Sequence, residues 1–265
     1  MFKNTKKLIT IGSIALTLLT TTANAGVLLD FEVGAGSWNA KPSGNIDYGT
    51  NIDIQDDLGL NDSNNIYLYA DFNHFVPIIP NIRIEQQNLE MDATANLGNI
   101  TFNNTTYNGS TATKLDLKQQ DLLLYWGVPA LKLATAGMLR VDFGIDLKKF
   151  DGSIVLDSKV NNNTQSETAN IDFIIPMGYI GATFDPPLIP ASLSASYKTI
   201  RYDGSSINDI MAKVSIDLPI PLPLIDIKLD LGYKQQSLVI SESVSDNLTA
   251  DIKFSGMFFG ISAKF

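Results

Sequence analysis

Polar and apolar positions alternate with a period of two along most of the chain after residue 26, the pattern of β-strands with one wet and one apolar face. The stretch "IDIKLDLGYK" is a clear case: Asp226, Lys228 and Asp230 alternate with Ile225, Ile227, Leu229 and Leu231. Ten strands are predicted on this basis, at 27–38, 65–75, 81–91, 114–126, 138–150, 170–184, 191–202, 207–218, 226–240 and 249–265. No stretch carries a helical period. The connectors alternate between two kinds. One is short and proline-bearing, as in "VPIIP" (76–80), "GVPALKLATAG" (127–137), "DPPLIP" (185–190) and "PIPLPL" (219–224). The other is polar, at 39–64, 92–113, 151–169, 203–206 and 241–248, and these are expected to be loops. Short turns at one end and longer loops at the other is the asymmetry of an outer-membrane barrel, with both termini on the short-turn side.

The alternation leaves open which face points inward, because a soluble two-sheet sandwich or lipocalin-like cup would bury the aliphatics while a membrane barrel would turn them to lipid. The charges fall on one parity: Asp30 and Glu32, Arg83 and Glu85, Asp116 and Lys118, Arg140 with Asp142, Asp146 and Lys148, Lys213 with Asp217, and Asp226, Lys228 and Asp230. Three features favour an apolar exterior and so place these charges in a lumen. Aromatic residues gather near strand ends, where a membrane interface would hold them, with Phe75, Trp126 and Phe184 by the short turns and Trp38, Phe150 and Tyr202 by the loops. The last strand ends on Phe265, like the recognition signal of the barrel-assembly machinery, although Phe258 stands where that signal has a polar residue. The apolar short turns suit a membrane interface. The fold expected is all-β: a transmembrane antiparallel up-and-down β-barrel of ten strands over residues 26–265.

The first 25 residues read as a secretory signal peptide. Lys3, Lys6 and Lys7 precede an apolar run and an Ala23-Asn24-Ala25 cleavage site. Its removal leaves 16 basic residues against 28 acidic ones, a net charge of −12, which argues against nucleic acid as a partner. The chain has no cysteine, so neither disulfides nor thiolate metal sites enter.

The segments "IDIQDDLGLND" (52–62), "FVPIIPNIRIE" (75–85), "QDLLLYWGV" (120–128) and "DFIIPMGYIGATFD" (172–185) resemble, in order, those of a family of uncharacterised proteobacterial outer-membrane β-barrel proteins. The resemblance implies fold and location in the bacterial outer membrane, and it carries over no catalytic residue.

Candidate chemistry is sparse. His74 is the single histidine, and with Asp71 it could serve a hydrolase only if a nucleophile joined them, so no enzyme is expected. Asp53, Asp56, Asp57 and Asp62 offer oxygen ligands without the spacing of a twelve-residue calcium loop, and no metal or cofactor is expected. A ten-stranded lumen should be mostly filled by side chains. The reading is a monomeric scaffold with acidic loops outside, "VPIIP", "DPPLIP" and "PIPLPL" in the periplasm, and outer-membrane lipid and lipopolysaccharide as neighbours. A narrow pore or small-molecule conduit is the alternative.

Overall fold

A computed structural model describes residues 29–102, 105–160, 163–243 and 248–265; the signal segment lies outside the described residues. Among the described residues eleven strands follow in chain order: β1 (Leu29–Asp47), β2 (Asn51–Asp53), β3 (Ser63–His74), β4 (Asn81–Phe102), β5 (Thr105–Gly127), β6 (Leu139–Val160), β7 (Asn163–Phe184), β8 (Ala191–Tyr202), β9 (Ser205–Asp217), β10 (Asp226–Ile240) and β11 (Thr249–Lys264). Among the described residues one short helix, α1 (Leu131–Ala134), sits in the turn between β5 and β6. Each long strand pairs antiparallel with its sequence neighbours, and β1 closes on β11. The wall therefore has ten strands, and the three-residue β2 is an appendage on the upper end of β1.

Following paired residues round the wall from Phe31 on β1 through Ile82, Ile145, Thr199 and Lys253 returns to β1 at Ser43, a stagger of 12 residues. A closed barrel needs such a stagger, and it tilts the strands by roughly 35–45° from the axis. Two glycines let the wall accept large rings on its inner side. A Cβ on Gly34 would meet the Tyr69 ring, and one on Gly36 would meet the Phe258 ring. At 203–204 the chain turns in two residues, both at positive φ, as a tight hairpin requires.

The strands differ in height. β8 and β9 have 12 and 13 residues, while β4 to β7 have 22 or 23, so the latter rise roughly 30 Å further along the strand direction. The segments 92–113 and 151–169, expected as loops, are in their described residues the paired upper arms of the β4–β5 and β6–β7 hairpins, up to the pairs Phe102–Thr105 and Val160–Asn163. Their Thr, Asn, Ser and Ala content resembles a loop, yet alternate residues pack inward and keep them extended. β4 leaves its β3 neighbour above Gln87, and β7 leaves β8 above Gly178. The β4 edge is covered by the segment from β2 to β3, whose Ile54, Leu58 and Leu60 are buried.

Candidate functional site

In the half nearest the short turns, the outer face is apolar. Ile82, Ile84, Phe143, Ile145, Leu193, Val214, Leu231, Phe259 and Ile261 all point out and are exposed. The inner face at the same heights carries Asp71, Arg83, Glu85, Asp121, Asp142, Asp146, Lys148, Lys198, Asp209, Asp230 and Lys234, nearly all buried. Inward charge and outward aliphatic on one parity-locked strand is the arrangement a lipid-embedded barrel requires.

Most of the predicted lumen residues take the inner parity. Arg83 bonds Glu85 at 2.6 Å and Asp71 at 3.3 Å, and stacks over Tyr69 at 4.1 Å. Arg140 bonds Asp142 at 2.9 Å, Lys213 meets Asp230 at 3.1 Å, and Lys148 meets Asp121 at 2.8 Å. Glu32 accepts a hydrogen bond from the Tyr69 hydroxyl. At the mouth, Lys228 pairs with Asp217 at 3.3 Å and Lys264 with Asp30 at 3.0 Å, while Asp226 is exposed on the same parity. Asp146 is buried on the inner face, 3.4 Å from Lys198.

Asp116 and Lys118 are corrections. On β5 the buried parity is Leu115, Leu117, Gln119 and Asp121, so Lys118 is exposed on the outer face and Asp116 shares its side. The reason is a change of polarity with height and not a break in the strand, because β5 pairs with β6 without interruption from Thr111 to Gly127.

The centre of the lumen is held by Lys148, which is among the predicted lumen charges, and by Lys198 and Lys234, which are not. Lys198 donates to Asp121 at 2.6 Å, Glu85 at 2.8 Å and Asp146 at 3.4 Å, and so links β8 to β4, β5 and β6. Asp209 receives Lys148 and Lys234, each at 3.3 Å. Gln119 on β5 and Gln236 on β10 exchange amide hydrogen bonds of 2.8 and 2.7 Å across the barrel. Lys198 is the one inward charge of β8, above Ser192, Ser194 and Ser196; Asp209 shares the inner parity of β9 with Lys213 and Asp217, and Lys234 that of β10 with Asp226, Lys228 and Asp230.

Just above this layer the inner face becomes apolar. Gln87 gives way to Leu89, Gln119 to Leu117, Lys148 to Phe150, Asp209 to Ile207 and Gln236 to Leu238. These residues join Trp38, Met91, Leu156, Phe254 and the β2–β3 segment in one buried cluster. The outer face changes the opposite way, to Glu90, Asp92, Asn108, Lys114 and Asp157, all exposed. The upper barrel thus has the layout of a water-soluble β protein.

The acidic segment belongs to this cap. Asp53 accepts from the backbone N–H groups of Gln55 and Asp56 at 2.8 Å, and Asp57 accepts from that of Asp53 at 2.8 Å. Asp62 accepts from Asn39, while Asp56 is exposed. These carboxylates shape a turn. His74 lies at the other end and also serves a turn: its Nδ1 accepts from the Val76 N–H at 3.2 Å, and its Nε2 lies 3.1 Å from the Pro80 carbonyl. Asp71 bonds Arg83, Tyr125 and Asn73, so it does not orient His74.

At the short-turn end, a polar cavity of about 170 Å³ runs up to Lys198 and Lys234. A wider space of about 500 Å³ lies between the turns at 75–80 and 128–130 and shares Asp30, Asn73, Arg140 and Asp142 with the first.

Closure without an edge, the stagger and the two-faced wall define a transmembrane antiparallel β-barrel of the outer-membrane kind. Three solved structures to which the chain is similar are the translocator domain of the autotransporter NalP from Neisseria meningitidis (11% identity, 98% of this chain and 95% of that one, TM-score 0.38), the attachment invasion locus protein Ail of Yersinia pestis (6%, 88% and 99%, 0.32) and a major outer membrane protein from Thermus thermophilus (14%, 89% and 99%, 0.34). At these scores the likenesses carry no argument about function. No protein-family model and no curated protein matches the chain.

Proposed function

We propose that the protein is a non-enzymatic outer-membrane scaffold that closes its own lumen and holds the tall β4–β7 hairpins above the cell surface. The observation that carries this reading is the wall-to-wall bonding of Lys198 to Glu85, Asp121 and Asp146, with the Gln119–Gln236 bridge and an apolar cap directly above. Charges of both signs joined across a lumen block it, whereas a selective pore more naturally lines its constriction with one sign. The non-enzymatic part rests on His74 and Asp71, whose bonding groups are engaged with a turn and with Arg83 and Tyr125. The acidic outer faces of the hairpins then lie among lipopolysaccharide head groups, the short turns face the periplasm where the barrel-assembly machinery delivers the chain, and one copy suffices to close the wall. The resemblance of the "DDLGL" and "VPIIPN" segments to uncharacterised proteobacterial barrels agrees with this location.

Planar-bilayer recording tests the closure. The expected result is no steady conductance. Reproducible cation-selective openings altered by Asp142→Asn or Asp230→Asn would replace the scaffold with a narrow conduit. Orientation is tested with single cysteines in this cysteine-free chain: Asn108→Cys should react with an impermeant thiol reagent on intact cells, and Ile220→Cys should not.

A further inference from the structure

The tall hairpins leave two strand edges above the membrane, and they are treated differently. The β4 edge lies under the β2–β3 segment with its buried Ile54, Leu58 and Leu60. β7 pairs with β6 over its whole length but with β8 only from Gly178 down. Its register on β6 is unbroken, and just below the strand the Asp185 N–H donates to the Met138 carbonyl at 2.7 Å. Backbone groups alternate sides along a strand, so the odd residues of β7 face β6 and the even ones face the open side. Ser166, Thr168, Asn170, Asp172 and Ile174 therefore hold out N–H and C=O groups that no described residue meets. Pro176, the edge position nearest the membrane, has no N–H to leave unpaired.

Each face beside this edge carries a mark of a missing neighbour. On the inner parity Phe173 is 37% exposed, whereas Phe150, whose ring it meets at 4.8 Å, is 4% exposed. On the outer parity Asp172 stands directly opposite Asp151, and both are exposed. They form a non-hydrogen-bonded pair, in which side chains come closest, and like charges so placed repel. Asp151 has Lys149 at 3.9 Å, while no described residue forms an ion pair with Asp172.

We propose that the upper edge of β7 binds an extended segment of a second protein by β-strand addition, with a basic residue outward against Asp172 and aliphatic residues inward beside Phe173. The added strand runs antiparallel, the more stable ladder. A second copy of the chain in the same membrane does not fit. Strands tilt by roughly 35–45° from the barrel axis, so the β7 strands of two facing copies would cross at roughly 70–90°, whereas sheet neighbours differ by roughly 20–25°. The side of the membrane from which the partner comes rests on the scaffold reading; binding to barrels in lipid nanodiscs, open to solvent on both sides, reads neither orientation nor conductance and can fail without it.

The probe is a fluorescent nine-residue peptide with valine at its even positions, lysine at the third and ninth and threonine at the other odd positions. Titration with the barrel in nanodiscs is expected to raise its anisotropy saturably. Amide exchange should then slow at Thr168, Asn170 and Asp172 and stay unchanged at the odd residues between them. N-methylation of the third and fifth peptide residues, whose N–H groups face β7, should weaken binding at least about tenfold, the equivalent of about 1.4 kcal/mol. Methylation of the fourth and sixth should leave it unchanged. Glutamate in place of both lysines should weaken binding, as should Asp172→Lys, and Asn170→Pro should do so by removing an edge donor outside the β6 ladder. The two methylated peptides keep the comparison on the unaltered protein even if a variant fails to fold. No saturable binding overturns the proposal. Equal binding of the two methylated peptides also overturns it, by reducing the edge to an apolar adsorption surface. Self-association of the barrel that the peptide competes away would give the edge to a second copy and overturn the choice of partner.

Discussion

The lower and upper halves of this barrel share strands, registers and side-chain parity, yet their polarity is opposite. On β4, Arg83 and Glu85 point in while Ile82 and Ile84 point out; a few residues higher, Leu89 and Met91 point in while Glu90 and Asp92 point out. Strand geometry fixes only which residues share a face. The solvent outside fixes what each face must be: lipid demands an apolar exterior and leaves the interior to ion pairs, and water reverses both demands. The height at which both faces change marks the upper edge of the membrane, near Gln86, Gln120 and Lys149 on the outer wall.

The two interiors should fail differently when cut. In the lower half, Lys198→Ala leaves Glu85 and Asp121 without their shared cation in a buried lumen. Removing one partner from a buried ionic cluster costs about 3–5 kcal/mol. The urea midpoint in lipid vesicles, read from the gel-mobility difference between unheated and boiled protein, should fall sharply, and Lys198→Arg should recover much of the loss. No change in midpoint would mean that this layer contributes little.

In the upper half the matching cut is Leu156→Ala, at a fully buried side chain of the apolar cap. The cost expected is about 2–5 kcal/mol from lost burial and cavity formation. It should be confined to the hairpins, because nothing there is tied to lipid. Hydrogen exchange is therefore expected to rise across the upper arms of β5 and β6 while the amides below Gln119 stay protected; a uniform rise would show the halves to be one cooperative unit.

The sequence revealed the strand number, the two kinds of turn and the lumen parity of most strands, because alternation survives whichever face is wet. It misplaced Asp116 and Lys118 for the same reason: a rule that puts the charged parity inside holds only below the membrane edge. The clue lay in "KLDLKQQDLLLYW", where the charges move from the parity of Lys114, Asp116 and Lys118 to that of Asp121 although the pairing has no bulge. "IRIEQQNLEMD" makes the same change between Glu85 and Glu90. Such a shift without a slip in pairing signals a change of solvent. The central Lys198 was illegible because it is the lone charge on the inner face of β8, whereas Asp209 lies on the parity that Lys213 and Asp217 mark; the cluster of the two with Glu85 and Asp121 exists only once closure brings β8 opposite β4. The upper arms were misread because Ala93, Ala95, Thr111 and Thr113 make a weakly apolar inner face.

The exteriors give the remaining contrast. Ile145 is 54% exposed on the outer wall, level with Ile84 and Ile180 in the middle of the apolar band. Ile145→Lys places an ammonium in hydrocarbon, at a cost of about 2–4 kcal/mol near the midplane. Refolding yield into vesicles should drop, and thin-bilayer vesicles should restore part of it.

The converse exchange should do almost nothing to stability, and it tests the assignment most narrowly. Lys118 lies on the outer parity of β5 four residues above Leu122, and it is exposed. If water surrounds it, Lys118→Leu removes one solvated charge and exposes one aliphatic side chain, a change within about 0.5 kcal/mol. A lumen location would give a different result, because the cation would then sit among buried carboxylates and its loss would match that of Lys198. An unchanged urea midpoint for Lys118→Leu beside a large fall for Lys198→Ala places the polarity change between Leu122 and Lys118. A fall of comparable size in both would return Lys118 to the lumen and move the membrane edge upward along the hairpins.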